Sequence, residues 1–196
     1  MQSSLFVLSG PSGVGKTTIR QELARMMPEL FVSVSATTRQ KRPDEVDGRD
    51  YLFLGKEKFD VMLSENGFFE WANVHGNFYG TPTKPIEEKL ACGKDALLVI
   101  DVQGACQVRT RMPSSAILIF LLPPSINELE SRLNGRKSDS IEQVKLRLEN
   151  AKSELKSLLN YDYSVVNHTI AQATHDVASI IRWCSYRRKY DRQGKN

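Results

Sequence analysis

Apolar residues along this chain fall into two patterns that take turns. Leu5 to Leu8, Ala96 to Ile100, Ala116 to Leu122 and Tyr163 to Val166 are short, nearly unbroken apolar runs. Strands covered on both faces by crossover helices have this composition. Between them lie longer stretches with helical spacing, near 16–27, 83–92, 103–110, 125–134, 140–160 and 170–189. The alternation predicts an α/β fold built on a parallel β-sheet flanked by helices.

Two helix starts carry their own signals. Ser125-Ile126-Asn127-Glu128 has the form of a capping box directly after Pro123-Pro124, and Asp139-Ser140-Ile141-Glu142 repeats it. The helix after the second places Ile141, Val144, Leu148, Ala151, Leu155 and Leu158 on one face for the core. The stretch 32–82 is different. It is rich in Ser, Thr, Tyr, Phe and Gly in short alternating segments, with only Lys56 to Glu65 helical in pattern. This predicts a small, mostly antiparallel lobe inserted into one α/β domain, whose core is then 1–31 and 83–196.

Bulk composition adds little and excludes some classes. The chain has 196 residues, 40% hydrophobic and 26% charged, enough for one domain with a proper core. A net charge of +4 suits a protein that handles polyanions, but it suits many others too. Cys92, Cys106 and Cys184 are scattered, and His75, His168 and His175 show no ligand spacing, so neither a disulfide framework nor a zinc site is expected. Leu5 to Leu8 is too short for a signal-peptide core, and Ala116 to Leu122 is a third of a membrane span. A soluble, cytoplasmic protein is expected.

The chemistry enters at Gly10-Pro11-Ser12-Gly13-Val14-Gly15-Lys16-Thr17, a full GxxxxGK[ST] motif. A buried-type strand precedes it and a helical pattern follows. Glycines let backbone N–H groups turn around phosphates, and the helix N-terminus adds its positive end. Lys16 is expected at the β- and γ-phosphates and Thr17 at Mg²⁺, with Thr18 beside it. The motif indicates a nucleoside triphosphate but not what is done with it.

Several further segments narrow the choice. They are Ser33 to Pro43, Gly48 to Tyr51, Phe69 to Ala72, Gly76 to Thr81, Ile100 to Gly104, Leu122 to Ser125, Arg132 to Arg136 and Val165 to Asn167. In order and spacing the chain from about 5 to 185 resembles the guanylate kinases, P-loop nucleoside monophosphate kinases. The resemblance implies phosphoryl transfer from ATP to GMP with Mg²⁺, a GMP-binding lobe over 32–82 and a lid over 134–141. By resemblance Ser35, Glu70, Thr81 and Asp101 read the guanine. Arg39, Arg42, Tyr51 and Tyr79 hold its phosphate, and Arg132, Arg136 and Arg147 join Lys16 and Arg39 on the migrating group. Asn167 is placed near the adenine. The chemistry agrees: a carboxylate accepts from guanine N1–H and N2–H₂ together, whereas the unprotonated N1 of adenine repels it. Arginine's planar fork suits phosphate oxygens.

The chain departs from the family at Val99, where an aspartate is common two residues before Asp101, at Lys137 in the lid, and at His168-Thr169. Three other readings compete. A catalytically dead scaffold domain would show a damaged P-loop, which is intact here. A kinase for another small acceptor has no use for the retained guanine carboxylates. Nucleic-acid binding has only the basic run Arg187 to Arg192, whose cations suit a helix C-terminus. The partners expected are therefore ATP and GMP, with dGMP a further candidate acceptor, and neither nucleic acid nor membrane. Oligomeric state is not legible.

Overall fold

The computed structural model describes residues 3–74, 76–134 and 141–193. Strand β1 (Leu5–Ser9) lies at the centre of a five-stranded sheet. The order is β2 (Phe31–Val32), β7 (Ala96–Val99), β1, β8 (Ala116–Leu122), β9 (Tyr163–Val166), with every neighbouring pair parallel. Both faces are covered, which is why these strands read as apolar runs. Phe6 and Leu8 point into a cluster with Ile19 and Leu23 of α1 (Lys16–Met26) and Val177 and Ile181 of α7 (Ile170–Gln193). Leu5 and Val7 point the other way, toward Ile86 of α3 (Thr83–Ala91) and Ala105 and Val108 of α4 (Val102–Arg111). Full burial of each such Leu or Phe side chain contributes about 1.5–3 kcal/mol.

The chain leaves β1 for neighbours on both sides, so a crevice opens at the carboxyl ends of the central strands, where ligands of doubly wound sheets bind. Two differences from the sequence pattern stand out. Phe31–Val32 is an edge strand of the main sheet, paired with Ala96–Leu97, and the Ser33 N–H continues the pairing to the Leu97 carbonyl. Two residues are too few to show a period. The helical pattern over 140–160 divides into α6 (Ile141–Leu155) and a 3₁₀ turn, Lys156–Asn160. Ala151 of α6 is buried against Leu129 and Leu133 of α5 (Ile126–Asn134), while Leu148, Leu155 and Leu158 are half-buried. The side chains of Ile141 and Val144, with residues 135–140 and the second capping box's Asp139 and Ser140, lie outside the described residues.

A second sheet runs β4 (Leu52–Phe53), β3 (Ala36–Thr37), β6 (Asn77–Pro82), β5 (Phe68–Val74), with α2 (Lys56–Ser64) against it. Phe59 of α2 stacks on Phe68 at 4.4 Å in its small core. The β3–β6 and β5–β6 pairs are antiparallel as expected. The β3–β4 pair is parallel, because the long connection 38–51 carries the chain back to the same end. The exposed edge of β5 is met by a side chain: Gln107 of α4 accepts from the Trp71 N–H at 3.2 Å and donates to its carbonyl at 2.6 Å. Among the described residues no helix is long and apolar enough to cross a membrane.

Candidate active site

The loop from Gly10 to Gly15 joins β1 to α1 at the crevice. Gly15 caps α1 with φ +102, and a Cβ there would also come within 2.6 Å of Asn167 Nδ2. Two independent constraints thus demand glycine. Asn167, just past β9, is 1% exposed and donates Nδ2 to the Val14 carbonyl at 2.7 Å. The residue expected near the adenine sits beneath the loop as a strut. Its Oδ1 is buried without a partner among the described residues. Lys16 Nζ donates to the carbonyls of Gly10 and, at 3.1 Å, Pro11, while Thr17 and Thr18 are exposed on the first turn of α1.

The smaller sheet forms the opposite wall. Glu70 lies on β5 where the register against β6 shifts between Phe68 and Glu70, and such bulges re-aim side chains. Its carboxylate accepts a very short hydrogen bond from Thr81 Oγ1, whose oxygen lies 3.1 Å from Ser35 Oγ. Burial pushes the Glu70 carboxyl up to about 7; the Thr81 hydroxyl opposes the rise and the charge of Asp101 adds to it. Asp101 lies two residues past β7 and caps α4, with Oδ1 accepting the Gly104 N–H at 2.9 Å and Oδ2 accepting from Gln103 Nε2 at 3.2 Å. Part of its hydrogen-bonding capacity is therefore committed to the helix start. The Asp-x-x-Gly spacing after a strand carried that capping signal.

Arg39 lies over the rings of Tyr51 and Phe53, 5.6 and 5.7 Å from their centroids. It donates to Glu45 Oε1 at 2.6 Å, and Glu45 Oε2 also accepts the Arg42 N–H at 2.8 Å. Burial works against the Arg39 charge, but Glu45 and Tyr79 more than offset it and its pKa is raised. Glu45 is half-buried, which would raise its pKa, yet the Arg39 hydrogen bond and the Arg42 N–H hold it below the usual carboxylate range. Sequence reasoning missed Glu45; its signal was an acid three residues after Arg42 in a basic loop. Tyr51 and Tyr79 meet edge-on at 5.9 Å, and burial chiefly raises the Tyr51 phenol.

The two walls are tied together. Asp50, 6% exposed, accepts from Arg20 Nη2 and Gln21 Nε2 of α1, both at 3.2 Å. Burial would raise its pKa, but the Val46 N–H, Arg49 and Gln21 hold it low. On the third side Arg132 of α5 donates to Glu128 at 3.1 Å and to the Asn167 carbonyl at 3.3 Å. The first capping box is half made: the Glu128 N–H reaches Ser125 Oγ at 3.1 Å, while the Glu128 carboxylate turns to Arg132.

A cavity of about 440 Å³ joins these walls. Of the expected residues, Gly10, Ser12, Gly13, Gly15, Lys16, Thr17, Thr18, Ser35, Arg39, Arg42, Tyr51, Glu70, Tyr79, Asp101, Arg132 and Arg147 line it. Pro11, Val14, Thr81 and Asn167 stand behind that lining, Val14 within the core. Arg136 and residues 135–140 of the expected lid lie outside the described residues. Val74, Asn77, Ile100 and Glu154 line the cavity without having been expected.

The chain is similar to several guanylate kinases. A guanylate kinase of Rhodopseudomonas palustris is 51% identical over 178 residues, covering 91% of this chain and 81% of that protein. A guanylate kinase of Synechocystis sp. is 48% identical over 181 residues, covering 92% and 94%. The crystal structure of guanylate kinase from Anaplasma phagocytophilum superposes with a TM-score of 0.78 at 34% identity, covering 94% of this chain and 87% of that one. The guanylate kinase family profile matches residues 2–183. With fold and sequence in agreement over nearly its whole length, the chain belongs to the guanylate kinase family.

Proposed function

We propose that this protein converts ATP and GMP to ADP and GDP, with the acceptor held by the smaller lobe and the donor by the P-loop. The observation that carries this reading is a cavity lined both by Glu70, buried and hydrogen-bonded to Thr81, and by Lys16 and the P-loop. Glu70 and one oxygen of Asp101 accept from guanine N1–H and N2–H₂, and the Ser35 hydroxyl donates to a guanine acceptor. Arg39, Arg42, Tyr51 and Tyr79 receive the GMP phosphate. An oxygen of that phosphate attacks the γ-phosphorus of ATP, the bond to the bridging oxygen breaks, and ADP leaves. The protein positions the reactants in line and neutralises charge. Lys16, Arg132 and Arg147 do the latter, with Arg136 in the same role.

Mg²⁺ fits the residues present, since the Thr17 hydroxyl, a hard oxygen donor, is exposed at the start of α1 inside the cavity. Bound there, it supplies positive charge to the polyphosphate. We divide the chain into a core (1–33 and 83–196, since Val32 and Ser33 pair with β7), a GMP lobe (34–82) and a lid (134–141) within one domain. The free thiols of Cys92, Cys106 and Cys184 support a cytoplasmic location.

The test is ADP release with ATP and Mg²⁺ in parallel reactions with GMP, AMP, CMP and UMP. Turnover confined to GMP is expected. Equal turnover with AMP, or none with any acceptor while ATP binds, would overturn the assignment.

A further inference from the structure

Glu154 is the acidic residue of the cavity that none of the roles above uses. It lies near the end of α6 and lines the cavity beside Ser12 and Lys16. Arg147 lies seven residues earlier, two helical turns away on the same face, and lines the cavity as well. Ala151 between them is fully buried against α5, which seats this face of α6 on the loop side. The Ser12 N–H of the loop donates to the Glu154 carboxylate, while one oxygen, Oε2, is buried with no hydrogen-bond partner among the described residues. Retaining an unsatisfied carboxylate oxygen is costly, so such a group is expected to answer to a nearby charge. The cation on the adjoining loop is Lys16. Val99, which lines the same cavity, brings no competing carboxylate.

We propose that Glu154 is a positioning residue for Lys16, drawing its ammonium away from the carbonyls of Gly10 and Pro11 and toward the phosphate cradle. The electrostatics agree: burial raises the Glu154 carboxyl, and the Lys16 charge is the foremost influence opposing that rise, with Asp101 adding to it. Lys16 has carbonyl partners on the loop itself, and in those bonds it folds back over the cradle. A carboxylate on α6, outside the loop, competes for the same ammonium. Because α6 belongs to the core and not to the lobe, the effect is confined to the ATP side.

The inference rests on the ATP-dependent kinase reading above, and its test separates the two. Glu154→Gln keeps the shape and removes the charge, and Glu154→Asp keeps the charge on a shorter stem. For Glu154→Gln we expect ATP affinity, read by a fluorescent ATP analogue, and kcat each to fall about tenfold, with the KM for GMP within about twofold of wild type. Glu154→Asp should recover part of the loss. In a Lys16→Ala background, Glu154→Gln should change analogue binding little, since the partner is gone. Equal losses in both backgrounds, an equal rise in the KM for GMP, or unchanged ATP binding would overturn the role of Glu154. Wild-type protein without GMP turnover would instead overturn the kinase reading, leaving the binding cycle to judge the Glu154–Lys16 pair alone.

Discussion

Gly104 and Glu70 come from different elements of the fold, yet a Cβ built on Gly104 would overlap Glu70 Oε2. The start of α4 and the buried Glu70 carboxylate are thus packed backbone to side chain, with Asp101 capping the same helix turn through the Gly104 N–H. Gly104→Ala should push the Glu70 carboxylate from its seat. We expect the KM for GMP to rise by at least about tenfold while ATP analogue binding stays near wild type. Steady-state kinetics with each substrate varied in turn would show the split.

Glu70 makes acceptor binding depend on pH. Its carboxyl titrates at about 7 in the folded protein, against 4.5 for the free group, mainly because it is buried. Guanine N1–H requires the ionised form, so GMP affinity should weaken as the pH falls below 7 and binding near pH 7 should release protons. The linkage to stability has the opposite sense. A raised folded pKa favours the folded state at low pH, and that contribution is lost as the pH rises from 4.5 through 7. Glu70→Gln should flatten both profiles and lower kcat/KM for GMP by about 10²-fold or more. Calorimetric titration of GMP at several pH values, in buffers of different ionisation enthalpy, measures the proton count.

Asn167→Ala removes the strut beneath the P-loop. The Val14 carbonyl loses its partner in a dry place, costing about 1–3 kcal/mol, and the loop gains freedom beside Gly15. Thermal melting should show the loss of stability. ATP analogue affinity should fall while the KM for GMP holds.

Asp50 fastens the lobe to α1. Asp50→Asn leaves Arg20 without its carboxylate and should destabilise the protein by up to about 3 kcal/mol, read by denaturant unfolding, with a rise in the KM for GMP as the lobe loosens. Because the folded pKa of Asp50 is depressed, its contribution is present above 3.8 and lost as the pH falls further. The wild-type and variant stabilities should therefore converge in acid.

Arg39→Lys keeps a charge but loses the planar fork and the contact with the Tyr51 and Phe53 rings. The KM for GMP should rise about tenfold or more, with ATP binding unaffected. Retained affinity would assign the phosphate to Arg42 alone.

Much of this was legible along the chain because the signals are local. A run such as Ala116 to Leu122 states by its composition that both of its faces are covered, and the model gives a strand with those bounds. The P-loop states its chemistry in eight consecutive residues. Phe31–Val32 was not legible, since two residues carry no period, nor was the parallel β3–β4 pair, which depends on where a long connection returns. Asp101 read as a guanine partner is also a helix cap, because a local backbone bond competes for the same carboxylate.

By itself, then, the sequence determined the α/β alternation and the phosphate loop, because period and short-range spacing are written in neighbouring residues, while the groups expected to suit a guanine nucleotide came from its resemblance to the guanylate kinases. Only the tertiary structure decided that Asn167 lies under the loop, 153 positions from Val14, that Gly104 gives way to Glu70, and that Glu154 reaches the loop of Lys16. Those relationships arise when separate elements are packed to the density of a core, and residues so far apart in the chain share no local pattern that could announce them.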